Sequence, residues 1–200
     1  GLYTSWYENG QKRNECIMQE GIYHGPLTRW YENGQKKWEE NYKVSKWDGL
    51  RTEWYENGQK EGEGNWEDGE LDGLWTGWYE NGKKKAERNY KAGKLDGVLT
   101  SWHMNGQVGS IMNYQEGKPD GLVTMWYKNG QKMSESNFKD AKPDGIVTGW
   151  YINGQKKWEG NWKEGKTVSA KSWKPNGEKC PATNVKDGNG VGVQYKDDGT

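Results

Sequence analysis

The sequence predicts an all-β protein built from tandem β-hairpins, with one hairpin in each 24-residue repeat. Two observations carry this prediction: tryptophan recurs at a constant step, and an Asn-Gly dipeptide follows it in every repeat. A constant period of about 20 to 50 residues is typical of repeat architectures. The recurring tryptophans are Trp6, Trp30, Trp54, Trp78, Trp102, Trp126 and Trp150, and Trp173 follows after 23 residues.

The repeats also define the expected domain organisation, a single repeat array over residues 1–199. Full units begin at Gly1, Gly25, Gly49, Gly73, Gly97, Gly121 and Gly145. A degenerate unit follows at about residues 168–190, and a partial ninth unit occupies residues 191–200. Terminal repeats are commonly atypical, so we expect the last segment to cap the array or to continue into a longer one.

Composition indicates a folded chain with a thin core. Hydrophobic residues make up 30% of the sequence, below the roughly 45–50% of an ordinary domain. However, 14 tryptophans and 12 tyrosines argue against disorder. Lysine plus arginine balance aspartate plus glutamate at 29 each, which removes the general electrostatic reason to bind nucleic acid or an anionic membrane. No apolar run is long enough to predict a transmembrane segment.

Each hairpin is predicted from its turn. Asn-Gly between strand-forming residues indicates a two-residue type I′ turn, because both residues tolerate a positive φ. The first strand is then Leu-x-Thr-x-Trp-Tyr and the second is Gln-Lys-x-x-Glu-x-Asn-Tyr. The predicted register places Tyr31 opposite Lys36, Trp30 opposite Lys37 and Thr28 opposite Glu39.

The connection between one hairpin and the next is expected to be the longer loop. Pro119 and Pro143 fall in this connection, and we expect them outside the strands, where proline would interrupt a ladder. Stretches with sustained helical periodicity are missing from the sequence. We therefore expect the hairpins to join into an elongated, twisted, single-layer antiparallel sheet.

Alternation along each strand assigns the side chains to two faces. The tryptophans share a face with the positions of Leu50, Thr52 and Glu63. The other face carries the tyrosines that follow the tryptophans, together with the second-strand aromatic residues Tyr42, Trp66, Tyr90, Tyr114, Phe138 and Trp162. Both faces hold aromatic and charged residues, which favours a curled single layer over a sandwich with a dry interior.

Catalytic, metal and cofactor sites are not predicted. The two histidines, His24 and His103, are far apart in sequence and have no zinc-type spacing with Cys16 or Cys180. These cysteines lie seven units apart, so we do not expect an intrachain disulfide. Aspartates that precede glycine once per unit suit turns better than calcium loops. The recurring glutamates are expected to be cross-strand partners of threonine and lysine.

The motif Gly-Leu-x-Thr-x-Trp-Tyr-Glu-Asn-Gly-Gln-Lys, followed by Tyr-Lys-x-Gly-Lys-x-Asp-Gly, resembles the bacterial variant of the MORN repeat. Proteins of this type are often described as YwqK-like antitoxin components. The resemblance covers nearly the whole chain and implies a hairpin array that binds a partner and has no activity of its own. The antitoxin description implies a toxin protein as that partner.

The tryptophan ladder is the leading binding candidate, although the same rings could simply form the core. Tryptophan and tyrosine are enriched at binding hot spots. The fifth unit departs most from the pattern, with His103, Met104, Val108 and Ile111. We predict protein binding, with a glycan or copies of the same chain as alternatives, in either the cytoplasm or the cell envelope. The candidate binding residues are Trp54, Tyr55, Trp78, Tyr79, Trp102, His103, Trp126 and Tyr127.

Overall fold

The computed structural model describes residues 1–181, 183, 185–189 and 192–193. Every regular element within these residues is a β-strand, and every strand pairing between them is antiparallel. The prediction of an all-β fold made from repeated hairpins is confirmed. The chain divides into two compact units, Gly1–Asp96 and a second unit that begins at Gly97. The partial ninth repeat predicted for residues 191–200 lies outside the described residues, apart from 192 and 193.

The first unit contains ten strands, in which each long strand pairs with the strands before and after it. In some repeats a two-residue strand pairs with the end of the second strand and precedes the first strand of the next hairpin. The strands are β1 (Leu2–Trp6), β2 (Lys12–Gln19), β3 (Ile22–Trp30), β4 (Lys36–Lys43), β5 (Lys46–Trp47), β6 (Gly49–Trp54), β7 (Lys60–Glu67), β8 (Glu70–Leu71), β9 (Gly73–Trp78) and β10 (Lys84–Lys91).

The second unit repeats this arrangement through the degenerate eighth repeat. Its first strand, β11, begins three residues before the boundary between the units. The strands are β11 (Lys94–Trp102), β12 (Val108–Gln115), β13 (Lys118–Trp126), β14 (Lys132–Lys139), β15 (Lys142–Pro143), β16 (Gly145–Trp150), β17 (Lys156–Lys163), β18 (Lys166–Ser172) and β19 (Val185–Lys186).

The Asn-Gly loop of each hairpin contains three residues, so the predicted two-residue type I′ turn is wrong. In the second repeat, the Gly34 amide donates to the Tyr31 carbonyl at 3.0 Å, and the Tyr31 amide donates to the Gln35 carbonyl at 2.8 Å. Gly34 has a φ of 83°, and Asn33 is not among the residues with positive φ. This is a turn followed by a left-handed glycine, a common three-residue hairpin loop. Tyr31 therefore lies at the base of the loop, and its predicted position opposite Lys36 is wrong.

The extra loop residue shifts the register by one position, and a bulge then shifts it back. Trp30 lies opposite Lys36, so its predicted pairing with Lys37 is wrong. The register shifts between this pair and the next, which leaves Lys37 as the extra residue of a β-bulge. Beyond the bulge, Thr28 lies opposite Glu39, as predicted. The two deviations cancel, so the predicted faces of the inner strand positions are retained.

The tight type I′ turn occurs instead at the connection between hairpins, which the sequence had suggested to be the longer loop. Glu20 and Gly21 have φ values of 52° and 80°. Val44 and Ser45 keep the same conformation without glycine, at 50° and 60°. The Ser45 amide donates to the Tyr23 carbonyl of the preceding repeat at 3.0 Å. Hydrogen bonding to the neighbouring repeat thus offsets the steric cost of a left-handed valine.

Pro119 and Pro143 lie inside strands, which contradicts the expectation that they fall outside. Pro119 is the second residue of β13 and pairs with Tyr114, and Pro143 is the second residue of β15. Proline lacks an amide donor but keeps its carbonyl acceptor. The Pro119 carbonyl accepts from the Ala141 amide at 3.1 Å, and the Pro143 carbonyl accepts from the Gly165 amide at 3.0 Å. Strand ends thus tolerate proline where only the acceptor is needed.

The core lies on the sheet face opposite the recurring tryptophans. Its most buried apolar residues include Cys16, Leu27, Ala86, Val123 and Val147. In some repeats a tryptophan on this face lies against glycine. A Cβ placed on Gly77 would be 2.4 Å from the Trp75 ring, and one placed on Gly160 would be 2.2 Å from the Trp162 ring. The thin core predicted from composition is therefore made of indole rings resting on bare backbone.

Candidate interaction surface

The tryptophan face is the sheet face that carries the recurring tryptophans with the lysine, threonine and glutamate positions. Lys36 lies opposite Trp30 and also sits 5.6 Å from the ring of Trp54 in the next repeat. Such cation–π contacts contribute about 0.5–1 kcal/mol at exposed sites. The other lysine-to-ring distances are Lys12–Trp30 5.6 Å, Lys60–Trp78 5.7 Å, Lys132–Trp150 5.5 Å and Lys156–Trp173 5.2 Å. These lysines cover part of each ring and link consecutive repeats.

Glutamates three residues further on hold these lysines in place. Lys60 Nζ is 2.6 Å from Glu63 Oε2, and Thr52 Oγ1 donates to the same oxygen at 3.2 Å. The predicted role of the glutamates as partners of threonine and lysine is confirmed. Each pair is partly exposed, so its contribution to stability is about 0–1 kcal/mol. The other pairs are Lys12–Glu15, Lys36–Glu39, Lys84–Glu87, Lys132–Glu135 and Lys156–Glu159.

The Tyr-Glu-Asn-Gly-Gln loops join each hairpin to the next. Tyr31 Oη donates to the Trp54 carbonyl at 2.9 Å, and Asn33 Nδ2 donates to the Glu56 carbonyl at 3.0 Å. The candidate binding residues Tyr55 and Tyr127 make the same bond, to the carbonyls of Trp78 (2.8 Å) and Trp150 (2.9 Å). Their hydroxyl groups therefore have a structural role, and only their ring edges remain available to a partner.

His103 takes the position of this tyrosine in the fifth repeat. Its Nε2 lies 2.8 Å from the Trp126 carbonyl. A carbonyl only accepts hydrogen bonds, so this contact requires the tautomer with a proton on Nε2. The histidine thus preserves the link between repeats that tyrosine provides elsewhere. Among the unusual residues of this repeat, His103 needs no functional explanation, because its contact with the next repeat accounts for it.

The fifth repeat also lacks the lysine–glutamate pair of the tryptophan face. Val108 lies opposite Trp102 in place of lysine, and Ile111 lies between two threonines in place of glutamate. Ile111 is 37% exposed, and the neighbouring Val98 and Leu122 on the same face are 42% and 49% exposed. We call Val98, Val108, Ile111 and Leu122 the repeat-five patch. The other full repeats carry lysine and glutamate at the positions of Val108 and Ile111, so the apolar area is larger here than in its neighbours.

The candidate residues from the sequence fall at two places. Trp102 and Trp126 border the repeat-five patch in the second unit. Trp54 and Trp78 lie in the lysine-covered ladder of the first unit. Sequence reasoning missed Val98 and Leu122. The sequence does indicate them, because an apolar residue occupies the second position of each repeat. No second layer was predicted to cover the face on which that position lies.

On the opposite face of the first unit, Arg51 lies at the centre of a polar and aromatic cluster. Its Nε is 3.3 Å from Glu40 Oε2, and its Nη2 is 2.5 Å from Glu53 Oε1. The guanidinium carbon lies 4.9 Å from the Trp47 ring and 5.6 Å from the Trp66 ring. Glu40 is only 5% exposed. Arg51 is paired with both carboxylates, although its buried Nε makes no hydrogen bond, and we interpret this cluster as structural.

Tyrosine ionisation should make stability fall in alkaline solution. Burial raises the pKa of Tyr42, whose hydroxyl donates to Glu40 Oε1 at 2.9 Å. Burial, reinforced by nearby glutamates, also raises the pKa of Tyr31 and Tyr55. A pKa raised by folding means that the folded state holds the proton more tightly. This stability is complete below the unfolded pKa of about 10 and is lost as the pH rises through the folded values.

Urea unfolding at a series of pH values, with tyrosinate absorbance recorded in parallel, measures this loss. Tyr42→Phe should reduce the alkaline loss, and Phe at the exposed Tyr3 should leave it unchanged. Equal unfolding free energies at pH values below and above the tyrosine titration would contradict the prediction.

A separate cavity of about 420 Å³ opens on the second unit beside Trp158 and Trp162. The two rings are 5.7 Å apart in an edge-to-face arrangement. Three hydroxyl residues, Thr167, Ser172 and Thr183, also line it. Aromatic walls with a few hydroxyl groups can accommodate a small neutral ligand.

Metal and membrane features were sought in the described part of the chain. No cluster of three or more histidine, cysteine, aspartate or glutamate residues there could hold a metal ion. Asp72, one of the aspartates that precede glycine, lies between β8 and β9, so the prediction that it forms a turn is wrong. It accepts a hydrogen bond from the Ala92 amide of the next repeat at 3.1 Å. Cys16 and Cys180 are buried and are not joined in a disulfide, and burial raises the pKa of Cys16. None of the described elements is a helix that could span a membrane.

Comparison with protein families identifies the repeat. The model of the MORN repeat variant matches residues 1–19, 23–43, 47–68, 71–92 and 119–140, which together make up more than half of the chain. Residues 93–118, which include the repeat-five patch positions Val98, Val108 and Ile111, lie between two matched segments. Comparison with curated proteins finds no match. The chain therefore belongs to the MORN repeat variant family, whose repeats act as binding modules.

Proposed function

We propose that this protein is a non-enzymatic scaffold that binds another protein through its tryptophan face. The repeat-five patch is the observation that carries this proposal. Among the first seven repeats, only the fifth replaces both the lysine and the glutamate of the ladder, with Val108 and Ile111. Exposed apolar patches bordered by polar residues mark interaction sites. Trp102 and Trp126 beside the patch are the residue type most enriched at binding hot spots.

Charge supports a protein as the occupant of the patch. The ladder charges that border it in the second unit are paired, as in Lys132–Glu135. The four side chains of the patch are themselves apolar, so they offer no cation to a phosphate group. Apolar side chains from another protein would gain about 25 cal/mol for each Å² of apolar surface removed from water.

The resemblance to antitoxin components favours a toxin protein as this partner. The surface would extend from Trp102, His103, Trp126 and Tyr127 around the patch. On the first unit it would include Trp54, Tyr55, Trp78 and Tyr79.

Restoring the ladder in the fifth repeat tests the proposal. The double variant Val108→Lys/Ile111→Glu installs the pair that the neighbouring repeats already accommodate, so we expect it to fold. Wild-type and variant proteins, immobilised at equal density, are compared for proteins retained from an extract of the native host. We expect one stoichiometric protein to bind the wild type, and its affinity for the variant to fall at least about tenfold, equivalent to 1.4 kcal/mol.

Two controls make this test specific. Lys36→Val/Glu39→Ile removes the lysine–glutamate pair from the second repeat. This variant should bind the partner protein with the affinity of the wild type. Val108→Ile keeps the patch apolar and should retain binding. A partner held equally by wild type and the double variant would contradict the proposal, as would an extract that yields no stoichiometric protein.

The cavity beside Trp158 and Trp162 favours a second candidate function, carbohydrate binding at the cell envelope. Sugar rings stack on aromatic side chains and hydrogen-bond to hydroxyl groups such as that of Thr183. Glycan-array binding with quenching of tryptophan fluorescence, abolished by Trp162→Ala in a folded protein, would support it. The absence of any glycan that quenches the fluorescence would exclude it.

A further inference from the structure

The Asn-Gly turns differ in one contact that bears on their chemical stability. In six of the eight turns, the asparagine Nδ2 donates to a carbonyl of the next repeat; these are Asn9, Asn33, Asn57, Asn105, Asn129 and Asn153. Within the described residues, Asn81 Nδ2 makes no such bond, and the repeat that would follow Asn176 lies largely outside them. In all eight, the asparagine Oδ1 accepts from the amide two residues ahead.

From this difference we infer that Asn81 is a site of spontaneous deamidation and that the bond between repeats protects the six asparagines that make it. The inference does not depend on any partner. Asn-Gly is the dipeptide most prone to this reaction because glycine has no side chain to hinder attack by its own amide nitrogen. Eight such dipeptides in one chain would otherwise be eight equivalent weak points.

The reaction proceeds in two balanced steps. The Gly82 amide gives its proton to base, and its nitrogen attacks Asn81 Cγ. A bond forms between these atoms, the bond from Cγ to Nδ2 breaks, and ammonia leaves after taking up a proton. Water then opens the cyclic imide at either carbonyl, which yields aspartate or isoaspartate. No oxidant or cofactor takes part.

Attack requires the side-chain amide to rotate away from its hydrogen-bond partners. At Asn81, within the described residues, this rotation breaks only the 3.1 Å bond from the Lys83 amide. At Asn33 it also breaks the 3.0 Å bond to the Glu56 carbonyl. One hydrogen bond contributes about 0.5–1.5 kcal/mol net, so the six protected asparagines should react about two- to tenfold more slowly.

The product also differs between the two classes. Deamidation of Asn33 replaces an N–H donor with a carboxylate oxygen that faces the Glu56 carbonyl, so two acceptors oppose each other. In the part of the chain that the structure describes, conversion of Asn81 to aspartate loses no bond from Nδ2 to another repeat. The protected positions are therefore those where the modification would separate neighbouring hairpins.

Peptide mapping of the full chain tests the inference. The folded protein and the same protein in urea are incubated in mildly alkaline buffer, and deamidation of each tryptic peptide is followed by mass spectrometry. Dividing each folded rate by its rate in urea removes the effect of neighbouring sequence. Asn57 and Asn81 share the preceding glutamate and form the matched pair. We expect protection of Asn33 and Asn57 to exceed that of Asn81 about two- to tenfold.

Equal protection at all of these positions, or greater protection at Asn81, would overturn the inference. Thermal unfolding of two variants gives an independent readout. Asn33→Asp should lower the melting temperature, and Asn81→Asp should leave it unchanged. An equal decrease for both variants would show that the bond to the next repeat has no protective role.

Discussion

Replacing Gly77 with alanine is expected to destabilise the protein by about 1–3 kcal/mol, the usual cost of overpacking a filled site. The new Cβ would lie 2.4 Å from one carbon of the Trp75 ring and 2.8 Å from another. The ring cannot move away easily, because it also lies against Gly62 and Gly64. Gly77 has no positive φ, so alanine would otherwise gain about 0.4–1 kcal/mol from reduced freedom of the unfolded chain. The clash outweighs this gain.

A double-mutant cycle in urea isolates the clash. Trp75→Leu introduces the residue found at this position in the second and fifth repeats, Leu27 and Leu99. In that background Gly77→Ala should cost little, giving a coupling free energy of about 1 kcal/mol or more. The same penalty with and without Trp75 would show that the ring does not set the requirement for glycine.

Replacing Arg51 with valine is expected to cost about 2–4 kcal/mol, somewhat less than the 3–5 of a fully buried pair because the side chain is 21% exposed. The change leaves the buried carboxylate of Glu40 without its cation. It also removes the contacts of the guanidinium with Trp47 and Trp66. Urea unfolding followed by tryptophan fluorescence measures the loss.

The double variant Glu40→Met/Arg51→Val is the matched control. It reproduces the cross-strand pair Met112 and Val123 found elsewhere in the array. Apolar residues of similar volume often replace a buried ion pair without loss. We therefore expect the double variant to recover most of the stability lost by Arg51→Val. A double variant as unstable as the single one would show that the aromatic contacts of Arg51 dominate, and that Glu40 contributes little.

The hairpin loops show the limit of local sequence signals. Asn-Gly favours a type I′ turn in isolation, yet the observed loop adds Glu32 and places only Gly34 at a positive φ. Asn33 instead uses both ends of its amide, one within the loop and one to the next repeat. The turn is selected by contacts with a neighbouring repeat, and a propensity derived from one hairpin does not contain them.

The candidate surface could be predicted only in part, because contacts with neighbouring repeats also decide it. The unusual residues His103, Val108 and Ile111 are visible as departures from the repeat. Their roles separate only in the structure, where His103 bonds to the next repeat and Ile111 lies exposed beside Leu122. The exposure of a side chain depends on what packs over its face of the sheet. A sequence pattern shows which side chains share a face, but it does not show what packs over that face.

The sequence by itself determined the all-β class and the hairpin in each repeat. It also determined that tryptophan, threonine and glutamate lie on one face of the sheet and the second-strand aromatic residues on the other. These follow from a constant period and from strand alternation, which are local properties of the chain. The tertiary structure alone decided the turn types, the bulge at Lys37 and the packing of Trp75 on glycine. Each of these is set by hydrogen bonds or van der Waals contacts between strands, whose balance no single repeat encodes.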